Sequence, residues 1–211
     1  FQKLRDELER LGATFRGHSD SEVMLAAFEA WGVEAAVSRF DGMYAVALWD
    51  ASERRLHLFR DRFGEKPLFV YAEDGYVSFG SELKSLRAGP RFDPAVDRDA
   101  VVSYLRYLCV PAPRTIYAKA RKLRPGSILT LSEPSATLPQ PRPYWSLTEI
   151  AVSGQRSPVE GDDASVIAEA ERIIGDSAAQ RMIADVPLGA FLSGGIDSST
   201  VVALMQQRSP K

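Results

Sequence analysis

Apolar positions along this chain change their period more than once, and each change marks a different kind of structure. From Phe1 to Phe40 they recur at helical spacing. Leu4, Leu8 and Leu11 share one face, and Gly12 is placed to end that helix. Ser19-Asp20-Ser21-Glu22 reads as an S-x-x-E capping box ahead of Val23, Ala26, Ala27 and Ala30, which predicts a helix running to Trp31 with Gly32 as its stop. A shorter helix is expected over 34–38. At Asp41-Gly42 the texture shifts to short strand-like runs over 43–49, 56–60, 68–72 and 76–79, separated by turn-rich pieces over 50–55, 61–67 and 73–75. Connections this short suit antiparallel hairpins, because a parallel crossover takes about a dozen residues or more. Helices are expected over 82–88 and 97–108, and strand character returns over 128–131. Helices ahead of a run of antiparallel strands predict a layered α+β domain.

From Ser132 to Gly161 the periodicity fades into Pro, Ser, Thr and Gly, with Pro134, Pro139, Pro141 and Pro143, and Tyr144-Trp145 as the pair expected to anchor it. Beyond it, Val166, Ile167, Ala170, Ile173 and Ile174 predict a helix over 163–182. An apolar strand over 188–192, a Ser/Gly loop and a helix over 198–207 follow. The expected organisation is a first domain over 1–132, a linker over 133–161 and the start of a second, α/β domain over 162–211.

Composition narrows the function. Lys+Arg 26 against Asp+Glu 28 gives a net charge of -2, so there is no basic excess of the kind that phosphate backbones require. A nucleic-acid partner is not expected. No apolar run approaches the roughly 18 residues of a membrane span, and Phe1-Gln2-Lys3-Leu4-Arg5-Asp6 turns charged too early for a signal peptide. The single cysteine, Cys109, excludes an internal disulfide framework and fits a reducing compartment, so a cytoplasmic enzyme is the expectation. Cys109 lies in the apolar run 101–109 and reads as a buried, inert thiol. His18 and His57 have no partners at metal-ligand spacing. Arg60-Asp61 reads as a structural ion pair at a strand end.

The strongest chemical signal is Leu188-Gly189-Ala190-Phe191-Leu192-Ser193-Gly194-Gly195-Ile196-Asp197-Ser198-Ser199. Two glycines let backbone N–H groups approach an anion, and a helix start adds unpaired donors and the positive end of a macrodipole. Ser193, Ser198 and Ser199 supply hydroxyls. Asp197 would oppose a bare phosphate, so it implies an intervening cation, Mg2+. There is no lysine after the glycines, so this is not a Walker loop. It is similar instead to the S-G-G-x-D-S-S loop of ATP enzymes that form an adenylate and release pyrophosphate. That loop alone leaves open which acid is activated. The plain alternative is a Gly/Ser turn with Asp197 as a helix cap.

The upstream part resembles the class II glutaminase domain of asparagine synthetases. Gly17-His18-Ser19-Asp20-Ser21-Glu22-Val23 is similar to that family's S-D-x-E segment, and Phe40-Asp41-Gly42-Met43-Tyr44-Ala45-Val46-Ala47-Leu48-Trp49-Asp50 to its G-M-F-A-F-A-L-W-D strand. Arg60-Asp61-Arg62-Phe63-Gly64-Glu65-Lys66-Pro67-Leu68 matches R-D-x-x-G-x-K-P-L; Ser81-Glu82-Leu83-Lys84-Ser85-Leu86 and Leu123-Arg124-Pro125-Gly126 agree as well. The resemblance implies part of an Ntn-type αββα sandwich, followed by the first strand and helices of a PP-loop parallel-sheet domain. It implies a glutamine-dependent asparagine synthetase: ammonia from glutamine hydrolysis displaces AMP from an adenylated aspartate. Carried over by position, Asp20 would bind the α-ammonium of glutamine, with helix capping as its plain alternative. Leu192, Ser193, Gly194, Gly195, Asp197 and Ser198 would contact ATP, with Asp197 facing Mg2+. The implied partners are glutamine, aspartate and ATP, and a homodimer is one assembly open to the full-length protein.

The family's glutaminase nucleophile is an N-terminal cysteine. Residue 1 here is Phe, so no catalytic residue is assigned, and the family's N-G-E segment is absent too. The chain is expected to be a fragment lacking both ends, with neither glutaminase nor synthetase activity on its own; glutamate release from glutamine by the purified chain would contradict this. Two rivals stay open. One is a β-lactam-synthetase-like relative or another amidotransferase acting on a different carboxylate. The other is a non-catalytic glutaminase-like scaffold.

Overall fold

The structure, a computed structural model, describes residues 1–132 and 138–209, in two compact units, Phe1–Leu147 and Thr148–Lys211. The first unit opens with α1 (Gln2–Arg10), α2 (Asp20–Trp31) and α3 (Val33–Arg39), as the helical periodicity predicts. Gly32 ends α2 at φ 75, a backbone conformation that side chains with a Cβ avoid. Two hairpins follow: β1 (Ala45–Asp50) with β2 (Arg55–Arg60), and β3 (Phe69–Glu73) with β4 (Tyr76–Gly80), both antiparallel. Next come α4 (Leu83–Arg87), α5 (Arg98–Tyr107), β5 (Ala120–Lys122), β6 (Ser127–Leu131) and β7 (Arg142–Pro143). One sheet has the order β1-β2-β6-β7 and the other β4-β3-β5.

Alternation along the strands sorts the side chains into layers. Phe59 and Ile128 face the helices and pack with Leu8, Val23, Ala27, Val37 and Phe40. Their strand neighbours Leu58 and Leu129 face the other sheet and join Leu68, Val70 and Leu123. Beyond Val70, Tyr71 turns outward against Leu86 and Ala120. The unit is thus helices, sheet, sheet, helix, the expected αββα order. Strands covered on both faces need apolar side chains at successive positions, which is why these runs read as continuous rather than alternating.

The R-D-x-x-G run ties the layers together, and here the structure corrects the ion-pair expectation. Arg60 and Asp61 do not take each other as hydrogen-bond partners. The Arg60 guanidinium donates to the carbonyls of Gly64, Lys66 and Leu123. The Asp61 carboxylate, 1% exposed, accepts from the amides of Tyr44, Phe63, Glu65 and Lys66 at 3.3, 3.2, 2.9 and 3.0 Å. Each charge satisfies turn backbone. Gly64 closes the knot at φ 67, where a Cβ would lie 2.8 Å from both Arg60 Cζ and Pro125 Cγ.

Of the expected linker, residues 133–137 lie outside those described. The rest is structured in part. β7 pairs with β6, and Tyr144 and Trp145 both donate their amides to the Gly126 carbonyl. The Tyr144 hydroxyl donates to the Arg60 carbonyl at 2.8 Å, so the Tyr44 hydroxyl, 2.8 Å away, donates to Tyr144. Tyr144 is the anchor, fixed to the end of β2.

Cys109 is exposed, not buried as expected. α5 ends at Leu108 in the left-handed conformation (φ 57, ψ 16), with its amide on the Tyr104 carbonyl, and this turn carries the following residue off the helix axis. A leucine there bears both a Cβ penalty and 82% exposure. Leu108→Gly is expected to raise stability by about 0.5–1 kcal/mol, since glycine relieves the strain but loses some backbone entropy; urea unfolding midpoints measure it.

The second unit contains most of α6 (Leu147–Arg156), then α7 (Asp163–Arg181) and α8 (Ile196–Arg208). Asp162 caps α7 by accepting from the Ser165 amide at 2.9 Å. α7 and α8 meet where Arg208 lies across Gly175 and reaches Asp176 at 2.6 Å; a Cβ at Gly175 would sit 2.6 Å from the guanidinium. The strand expected over 188–192 does not form. A strand exists only with a ladder partner, and no strand is present among the described residues of this unit. No helix among the described residues is long and apolar enough to cross a membrane.

Candidate functional site

Asp20 is the first residue of α2 and is exposed, where a carboxylate complements the positive helix end. Capping falls to its neighbour: Ser19 Oγ accepts from the Ser21 amide at 3.1 Å. Asp20 Oδ1 accepts only from the Ser21 hydroxyl, at 3.3 Å, among the described residues. The other half of the predicted capping box is rearranged. Glu22 does not reach back to Ser19; it accepts from the amides of Arg16 at 2.8 Å and Gly17 at 2.9 Å. The signal for this was the S-x-x-E spacing, which locates the glutamate but not which upstream amides it takes.

Those two amides, Arg16 first, hold the Glu22 carboxyl below its ordinary value of 4.5. A carboxyl with a depressed folded pKa contributes stability that is complete above its unfolded value and is lost as pH falls through the folded one. The stability advantage of the native chain over Glu22→Gln is therefore expected to be full above pH 4.5 and to shrink on further acidification. Urea unfolding across that range measures it; a pH-independent difference would contradict it.

In the second unit, Ser193, Gly194 and Gly195 precede α8, which Gly195 N-caps with no side-chain hydrogen bond. Gly194 has φ 80, and a Cβ there would meet nothing within 4 Å. The conformation demands glycine, and the space beside it is open. Ser193 Oγ and Ser198 Oγ lie 2.9 Å apart across the loop, and Ser198 Oγ also donates to the Gly195 carbonyl at 3.1 Å. Asp197 sits in the first turn of α8, and Leu192 is exposed at the entry. The six residues predicted to contact nucleotide lie in this loop and the first turn of α8, a helix start whose first amides have no intrahelical partner. Among the described residues no three His, Cys, Asp or Glu side chains gather as a metal set. His57 takes a cross-strand hydroxyl instead, Nδ1 to Thr130 Oγ1 at 3.0 Å.

Two family models match stretches of this chain. A family model described as glutamine amidotransferase domain matches residues 1–145, and one described as asparagine synthase matches residues 169–211. Asparagine synthetase (glutamine-hydrolyzing) 1 of Bacillus subtilis (strain 168) is 36% identical over 99% of this chain and 31% of its own length. A putative asparagine synthetase (glutamine-hydrolyzing) of Mycobacterium bovis is 36% identical over 100% of this chain and 32% of its own length. The chain spans about a third of the length of these curated relatives. Among solved structures, the glutamine phosphoribosylpyrophosphate amidotransferase of B. subtilis complexed with ADP and GMP shares 18% identity, covering 98% of this chain and 41% of that one, at a TM-score of 0.45. With a match across residues 1–145 and an αββα layering of its own, the chain belongs to the glutamine amidotransferase domain family.

Proposed function

We propose that this chain is part of an ATP-dependent carbon–nitrogen ligase that makes asparagine from aspartate, taking its nitrogen from glutamine. In this reading the first domain spans 1–132, a linker 133–161, and the start of the synthetase domain 162–211. The observation that carries it is the open, left-handed Gly194 at the start of α8, inside the stretch that matches the asparagine synthase model. Ser193, Gly194, Gly195 and Ser198 would receive the pyrophosphate oxygens of ATP, with Leu192 at the entry. Carboxylate oxygen is a poor leaving group. Adenylation makes AMP the leaving group, and the loop's donors stabilise the charge that grows on the departing pyrophosphate.

The donor set fits Mg2+ as well. That ion is held by one or two carboxylates together with substrate phosphates and water, so a lone Asp197 suffices on the protein side. Asp20 would make a charge-assisted hydrogen bond to the α-ammonium of glutamine. All the partners in this reading are small molecules, and the cytoplasm, where they are abundant, is the proposed location. A homodimer of the full-length protein is compatible with it.

The test is pyrophosphate exchange by the full-length protein. Exchange into ATP that depends on aspartate supports the reading, exchange driven by another carboxylic acid replaces it with an amidotransferase of different specificity, and failure to bind ATP overturns it.

A further inference from the structure

Asp20 is exposed and little restrained by its own hydrogen bonds, so its position depends on the backbone that enters α2. That backbone is held from both sides. Glu22 takes the amides of Arg16 and Gly17 at 2.8 and 2.9 Å, and Arg5 Nη1 donates to the Gly17 carbonyl at 2.8 Å. The Arg5 side chain is itself fixed: it is 15% exposed, paired with Glu9 at 3.1 Å and stacked over the Phe15 ring at 4.4 Å. Both polar groups of Gly17 are thus taken by side chains from two different helices. A glutamate at this position of a helix ordinarily reaches back to the capping residue and stabilises the helix end. Here it bypasses Ser19 and grips the loop upstream. That use of the carboxylate does little for the helix end and much for the path of residues 16–19.

We propose that Glu22 and Arg5 are positioning residues for Asp20, holding the 16–18 loop so that the Asp20 carboxylate meets the α-ammonium of glutamine. This rests on the proposed role of Asp20. Charge-assisted hydrogen bonds depend on distance and angle, so a loop free to drift by about 1 Å weakens binding of the ammonium well before it unfolds anything.

Steady-state glutamate release by the full-length protein, as a function of glutamine concentration, tests it through a double-mutant cycle. Asp20→Asn is expected to raise KM for glutamine about 100-fold, and Glu22→Ala about tenfold with kcat within about threefold, the pattern of lost binding rather than lost chemistry. If Glu22 acts through Asp20, adding Glu22→Ala to Asp20→Asn changes KM by less than about twofold. Arg5→Gln is expected to follow the same pattern. Where Glu22→Ala fails to fold, Glu22→Gln retains one acceptor oxygen and serves in the same cycle, with an expected rise of about threefold. Equal effects of the position-22 change in both backgrounds, or a fall in kcat with KM unchanged, overturn the positioning role while leaving Asp20 intact. An unchanged KM in Asp20→Asn overturns the role of Asp20 itself, and the positioning role with it.

Discussion

Alanine at position 61 is expected to cost the first unit about 4 kcal/mol of folding stability, a large share of the roughly 5–15 kcal/mol that a domain has. The reason is the number of donors that depend on one carboxylate. Four backbone amides, from Tyr44, Phe63, Glu65 and Lys66, converge on Asp61, which is almost entirely buried. Removing it leaves those donors without an acceptor, and water admitted to the vacated space recovers only part of the loss. The damage spreads because Asp61 also bonds through its backbone, its amide to the Tyr44 carbonyl and its carbonyl to the Gly64 and Gly126 amides, so the turn ties together the ends of β1, β2 and β6. Asp61→Asn keeps the volume but turns an NH2 group toward N–H donors, and about half the cost is expected to remain. Glu65→Gln changes an exposed neighbouring side chain and should stay within about 0.5 kcal/mol. Urea denaturation gives all three values. A cost under about 1 kcal/mol for Asp61→Ala would mean that water replaces the carboxylate well, and that it does not organise this turn.

Valine at position 194 is expected to reduce aspartate-dependent pyrophosphate exchange by the full-length protein about 100-fold, the scale on which losing aligned oxyanion donors slows a reaction. Gly194 sits at φ 80, where a β-branched residue is strained by about 1–2 kcal/mol or more. Nothing stands within 4 Å of the added Cβ, so that atom meets no neighbour. The cause is the backbone itself. To escape the strain the loop must turn to negative φ, which rotates the amides that precede α8 away from the proposed pyrophosphate position. Gly189 also has open space around it but lies outside the left-handed region, so Gly189→Ala should be tolerated. Urea unfolding of the first unit should be unchanged in both variants. Exchange in Gly194→Val within about threefold of the parent would remove the loop from the proposed chemistry.

Much of the first unit was legible before any coordinates. Helix starts and stops depend on neighbours in sequence: Ser19 caps, Gly32 terminates, and short turns force β1–β2 and β3–β4 to pair as hairpins. The Ser/Gly loop was legible for the same reason, because a glycine's permitted φ and a helix's unpaired amides are local properties. What periodicity could not reveal was the choice of partner. The Glu22 carboxylate takes the amides of Arg16 and Gly17, and the Gly17 carbonyl in turn accepts from Arg5 on another helix, a set of contacts that spacing does not specify. The charges of Arg60 and Asp61 look like a pair on paper. Folding brings carbonyls and amides of their own turn to each of them, joined by the Leu123 carbonyl for Arg60 and the Tyr44 amide for Asp61, since buried backbone groups must be satisfied and water is not there to do it. The strand expected at 188–192 marks the same boundary, because apolar residues propose a strand but only a neighbouring strand's hydrogen bonds can make one. Local backbone preference sufficed for helix ends, hairpin turns and the conformation of single glycines. Packing decided every contact whose two halves the chain keeps far apart.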